Sequence, residues 1–308
     1  MKFSLTLILT CLIIFISSCS MSPRQDYIKP DMNLKIETSN KNKEIIIQSL
    51  LKDENIFSID FNNEDSYFLE DNILNSNLKF FCKSLIEDER EALEKNIFKN
   101  KKEIDKKVIV VFSENYLDIA SYLKNKYPEE EYLMIQSGDF DSQIKKILNV
   151  DLSTKNYVDL TKFDSSIEIS HSPRVRNDIT SIYFITNYNI GKTIVPIFRS
   201  NALNIDTYSS SEIFHDANDI KKLVDFENTY IPITKKMIEN ISKKQDSLII
   251  NEIEKTLIRD FLDIEKINQN NLFRENLIPD SGNRKVGRNG CINRDLSLWK
   301  VSTADFTN

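Results

Sequence analysis

PRVRNDITSIYFITNYNIGKTIVPIFRSNAL, from Pro173 to Leu203, is the stretch whose reading decides the fold. It holds a basic lead-in, a short apolar strand at 182–185, a polar turn at Thr186 and Asn187, and a helix from Ile190 to Phe198, with a second strand near Asp206. Strand, turn, helix and strand in about thirty residues make one βαβ crossover, which predicts a parallel sheet with helices on its faces. No catalytic motif sits at the turn, where α/β proteins usually carry one.

Upstream, the same alternation starts at Leu78. Leu78 to Cys82 reads as a strand, and Ser84 opens a helix in which Ser84 and Glu87 form a capping box. The run Glu87, Asp88, Glu89 lies in the first turn, where carboxylates complement the helix dipole, and no His stands near to complete a metal site. Residues 107–112 form the clearest buried strand, 113–125 a helix, 132–135 a strand and 140–149 an amphipathic helix. The order predicts an α/β, doubly wound and mostly parallel sheet. The polar interval 151–170 is expected to be a surface excursion. Downstream, 227–231 reads as a strand that Pro232 ends, and residues 235–268 as helical with an apolar core stripe.

The N-terminus sets the compartment. Lys2 precedes an apolar run from Phe3 to Ile16, too short to span a bilayer core of ~30 Å, and then come Ile16, Ser17, Ser18 and Cys19. This resembles a bacterial lipobox, so residues 1–18 are expected to be a lipoprotein signal peptide and Cys19 the lipid attachment site. Ser20 in place of Asp after Cys19 points to the outer membrane. Residues 19–43, polar and without period, are expected to form a flexible tether. Loss of Lys2 takes the formal charge from −6 to −7, an acidic balance that argues against nucleic acid as a partner. Of four Cys, Cys11 leaves with the signal and Cys19 carries lipid; Cys82 and Cys291 could pair in an oxidising compartment, though they lie far apart in sequence.

The segment 281–290 has glycines and basic residues but no phosphate-loop spacing, and it reads as a tight hairpin between 285–286 and 291–292. Arg284, Lys285, Arg288 and Arg294 would cluster on that hairpin, as a solvated edge or a contact for an anionic partner. His171 and His215 both fall in polar loops, and no HExxH, CxxC or GxSxG occurs. No cofactor, metal or catalytic set is expected.

The run FFCKSLIEDEREA (Phe80 to Ala92), Val108 to Val111, Asp139 and Phe140 leading into 147–151, Arg174 to Asp178 ahead of 182–185, and Ser281-Gly282 followed by Arg294 to Trp299 together resemble the C-terminal domain of the LppC/LpoA lipoproteins. Those are outer-membrane activators of a class A penicillin-binding protein. The resemblance covers 78–232 and, more loosely, 255–300. It implies a type I periplasmic-binding-protein-like domain over 78–302, with residues 44–77 as a remnant of the first lobe and the helical repeats of that family missing. It also implies a lipid-anchored regulator that binds and activates a peptidoglycan synthase without chemistry of its own. The alternative is a periplasmic small-ligand-binding receptor lipoprotein for transport or sensing, which needs two lobes and a cleft with convergent polar groups.

Overall fold

A computed structural model describes residues 30–51, 56–61, 65–101, 103, 105–136, 138–163, 170–217, 220–242, 248–270, 279–286, 290–302 and 304. The expected signal peptide, Cys19 and the first part of the tether lie outside these residues. The remainder of the tether is ordered. Strand β1 (Met32–Thr38) buries Met32, Leu34 and Ile36 while its polar neighbours face outward, the period of a strand with one face on a core. Ser39 then accepts the Asn42 N–H and caps helix α1 (Asn40–Leu50). Strands β2 (Phe57–Asp60) and β3 (Tyr67–Leu69) flank β1, both parallel to it, giving a small three-stranded sheet in the order β2-β1-β3.

Leu78 to Cys82 is a turn rather than the expected strand. Phe80 takes a left-handed φ of 78°, which breaks extended pairing, and only Phe81 bridges, to Ile292. Helix α2 (Leu85–Glu94) follows behind the Ser84–Glu87 capping box and runs into a π-helical turn at Lys95–Lys99. Then come β4 (Lys107–Phe112), α3 (Leu117–Lys126), β5 (Glu131–Met134), α4 (Phe140–Ile147) and α5 (Val150–Phe163). Helix α5 covers the first part of the interval expected to be a surface excursion and buries only Val150, and residues 164–169 lie outside the described residues. Next are β6 (Ile179–Ile185), α6 (Tyr188–Asn201), β7 (Asp206–Ser209), β8 (Thr229–Pro232), α7 (Lys235–Ser242) and α8 (Ile249–Gln269). The hairpin β9 (Asn283–Val286) and β10 (Ile292–Asp295), and then β11 (Leu298–Lys300), close the described chain.

The main sheet has six strands in the order β11-β8-β7-β6-β4-β5, parallel except for β11. Its central strands are buried on both faces. Ile109, Val111, Ile182 and Phe184 point into the larger core, while Val108, Val110, Phe112, Tyr183 and Ile185 point into a second core under α2 and α3. That two-sided burial is why both strands read as unbroken apolar runs.

Helix α8 joins the two sheets. Residues from Ile249 to Ile264 lie in the same core as Met32, Leu34 and Ile45, and Tyr67 stacks on Phe261 with centroids 5.3 Å apart. Lys41 pairs with the buried Glu254 at 2.7 Å and Lys79 with Glu265 at 3.0 Å. Gln269 bonds both the N–H and the C=O of Asn33, at 3.0 and 2.7 Å. The small sheet is thus packed onto the larger body through core and ion pairs rather than hung on a hinge. Cys82 and Cys291 form a disulfide, 209 residues apart in sequence, that ties the start of α2 to the hairpin.

Candidate functional site

In an open parallel sheet, ligands sit outside the carboxyl ends of the strands, where the strand order reverses. Here that switch lies between β4 and β6, because the chain leaves β4 for β5 on one side and returns to β6 on the other. Carrying the register one step past Phe112–Ile185 and two past Phe184–Ser209 sets Ser113, Thr186 and Ser211 side by side along this rim. Three hydroxyls in a row are apt for a polar ligand. Yet Ser113, Thr186 and Ser211 are all buried, at 3%, 2% and 0% exposure, and their hydroxyls find no partner among the described residues.

Helix α2 closes the rim. Glu89 is fully buried and its carboxyl accepts the Ser211 N–H at 2.8 Å. Burial pushes this carboxyl up to about 8, with the Ser211 N–H drawing it partly back. Beside it Arg90 pairs with Glu212 at 3.2 Å, and Ser210 donates its hydroxyl to the same carboxylate at 3.1 Å. The Tyr116 hydroxyl is pushed up to about 12 by burial and by the charge of Glu212. The chain's own acid therefore occupies the place where a ligand's polar group would meet the rim. On the outer side, a groove of about 590 Å³ runs between α2 and α3 over Tyr183 and Phe98. Its cations are already paired: Lys83 with Glu91, and Lys99 and Lys126 with Glu94 at 3.2 and 2.8 Å.

Helix α2 is held in place by an inward-turned arginine. Arg294 is the one residue of the expected basic cluster whose side chain the structure describes, and it is not on a solvated edge. Its side chain has no exposure and reaches Asp88 at 3.1 Å, with Asp88 equally buried. The guanidinium also donates to Lys83 O at 3.0 Å and to Ser281 Oγ at 3.1 Å, and lies 3.9 Å over the Phe81 ring. Ser281 and Asp280 are fixed in turn by Asp260, whose two oxygens each accept a backbone N–H at 2.8 Å. Burial pushes Asp260 up to about 6. Gly282 packs so close that a Cβ there would stand 2.7 Å from the Cβ of Arg294, so only glycine fits. Arg284 and Lys285 lie on β9, in register with Arg294 and Asn293, and Arg288 lies outside the described residues. Of the four expected contact residues, Arg294 alone is placed by its side chain, and it faces inward.

His171 stacks on Tyr157 and His215 is exposed. Among the described residues no group of His, Cys, Asp and Glu is placed to hold a metal ion. Asp88, Glu89 and Asp260 are the site residues that sequence reasoning missed. A signal for Glu89 was present, since it stands four residues from both Leu85 and Leu93 and so shares their apolar face.

No family model matches this chain, and no curated protein does. Solved structures do. A protein from Chromobacterium violaceum assigned to branched-chain amino acid ABC transport superposes with a TM-score of 0.50 at 8% identity, over 88% of this chain and all of that one. The LpoA C-domain of Haemophilus influenzae, a regulator of PBP1A, gives 0.42 at 9% identity, over 87% of this chain and 79% of that one. Full-length LpoA from the same organism gives 0.43 at 10%, with 46% of its length covered. The class so defined is α/β, mostly parallel and type I periplasmic-binding-protein-like; at these identities the likeness is one of fold.

Two outcomes follow for the buried acids. Arg294→Met leaves Asp88 buried and unpaired and should cost about 3–5 kcal/mol in urea unfolding, while Asp88→Leu with Arg294→Met should recover most of the loss. The raised Glu89 carboxyl makes the folded state hold a proton that the unfolded chain has released, so its contribution falls as pH rises from the ordinary carboxyl range to about 8. Glu89→Gln should flatten that fall in thermal unfolding across this window.

Proposed function

We propose that this chain is a non-catalytic, exported lipoprotein, anchored by acylated Cys19 in the outer membrane and facing the periplasm, that binds and activates a class A penicillin-binding protein. One observation carries the choice over a small-ligand receptor: Glu89, on the chain's own helix, fills the carboxyl rim, and Ser113, Thr186 and Ser211 are shut from solvent. A receptor needs that rim open and a second lobe free to close over it. Here α8 packs the small sheet in place. The residues that resemble the LppC/LpoA family, Phe80 to Ala92, Ser281-Gly282 and Arg294, form the buried lock on α2, so the resemblance falls on the framework of a binding scaffold. Activation without chemistry is differential binding: a surface that prefers the synthase's active conformation shifts its population.

The test uses the purified full chain in detergent with a class A synthase. Retention of the synthase and a faster rate of glycan polymerisation are expected, with no change in Tm on adding branched-chain amino acids. Absence of binding and of any rate change, or a ligand-dependent rise in Tm, contradicts the reading.

A further inference from the structure

The small sheet has an apolar end, and it is the end at which the chain enters. Strands β1 and β2 start side by side, Met32 opposite Phe57, and α1 runs back between them, so Asp31, Leu51 and Ile56 share one end of this lobe. The Asp31 N–H donates to Ile56 O at 2.8 Å, and the Ile56 N–H donates to Asp31 Oδ2 at 2.9 Å. Leu51 is 79% exposed and Ile56 45%. Ile47, 42% exposed, stands four residues before Leu51 and so on the same helix face. Single exposed apolar residues are ordinary, but three large ones at one end make a patch. Exposed Asp31, Asn33 and Gln269 rim it, with Gln269 bonded to both backbone groups of Asn33. Phe68, 61% exposed, lies toward the opposite end, because Tyr67–Leu69 pair with the last residues of β1.

We propose that Ile47, Leu51 and Ile56 dock on the bilayer that holds the acyl chains of Cys19, with these side chains at the boundary of headgroups and acyl chains and the polar rim among the headgroups. The occupant follows from the length of the link and from where it ends. Thirteen residues separate Cys19 from Met32, and such a link spans at most about 45 Å whatever its path. The anchor therefore presents one surface to this end of the body at an effective concentration that a short link sets on the order of millimolar, and any soluble partner must compete with it. A formal charge of −7 after loss of the signal leaves no general attraction to anionic lipid, so contact is made by the apolar side chains. This inference rests on the reading of Cys19 as acylated and adds to it which end of the body faces the membrane.

The experiment reconstitutes the full acylated chain in phosphatidylcholine vesicles, as Leu51→Trp and as Phe68→Trp, each beside the native Trp299, and reads tryptophan emission with lipids brominated on their acyl chains. Both positions are exposed, so circular dichroism and Tm should match the wild type. The expected result for Leu51→Trp is a blue-shifted emission that brominated lipid quenches and high salt leaves unchanged, and for Phe68→Trp neither shift nor quenching. The quenching should persist when a Gly-Ser insertion between Arg24 and Gln25 doubles the link, because docking rather than reach then places the residue. If the chain floats with the vesicles but Leu51→Trp is quenched no more than Phe68→Trp, or loses its quenching with the longer link, the surface is wrong and the anchor reading stands. If the chain does not float with the vesicles, the anchor reading fails and this surface falls with it. A blue shift without quenching, or one that light scattering traces to a dimer, gives the patch to a protein occupant and overturns the proposal.

Discussion

A guanidinium with no solvent exposure is expensive to place, several kcal/mol for the ion alone, and at Arg294 groups that receive Nε and Nη1 offset that cost, while Nη2 finds no partner among the described residues. Asp88 supplies the opposite charge, Lys83 a carbonyl, Ser281 a hydroxyl and Phe81 a ring face. These groups come from the start of α2, the turn before the hairpin and the hairpin itself. Asp260 brings α8 into the same network through the Asp280 and Ser281 amides. The nearby Cys82–Cys291 disulfide makes the same connection covalently. Three stretches of the chain, the start of α2, the middle of α8 and the turn and hairpin at 280–295, are thus registered at one buried charge.

The consequence reaches the edge of the main sheet. With its first turn locked by Asp88 and Arg294, α2 carries Glu89 to the carboxyl rim and holds it against Ser211. A carboxyl buried so deeply stays protonated near neutral pH, which lets it share the rim with Glu212 without a clash of charge. The small sheet is fastened by α8, through Glu254, Glu265, Phe261 and Gln269. The rim at the switch point is thus filled by the chain's own groups, and the small sheet is packed against the larger body.

Much of this was readable in the chain. The apolar runs at 107–112 and 182–185 named the central parallel strands because both of their faces are buried, and the Ser84–Glu87 box marked the start of α2. The hairpin and the apolar stripe of α8 were equally plain. What failed did so for physical reasons. Met32 to Thr38 looked like tether because its outward residues are Asn, Lys and Glu, although its period of two was present. Leu78 to Cys82 looked like a strand until Phe80 took a left-handed φ, which composition does not announce. Arg294 sits in a basic run that points to a solvated edge or an anionic contact; its burial depends on Asp88, 206 residues away, and no local pattern encodes that meeting. Helix α5 lies in an interval whose polarity points to a surface excursion, and its helical form is not announced by that composition.

The most direct measurement of the central claim is amide hydrogen exchange at Ser211 in the native protein. If α2 closes the rim as described, this amide exchanges only with global unfolding, and added amino acids leave its rate unchanged. Exchange through a low-energy local opening, slowed when a small ligand is added, would contradict the account.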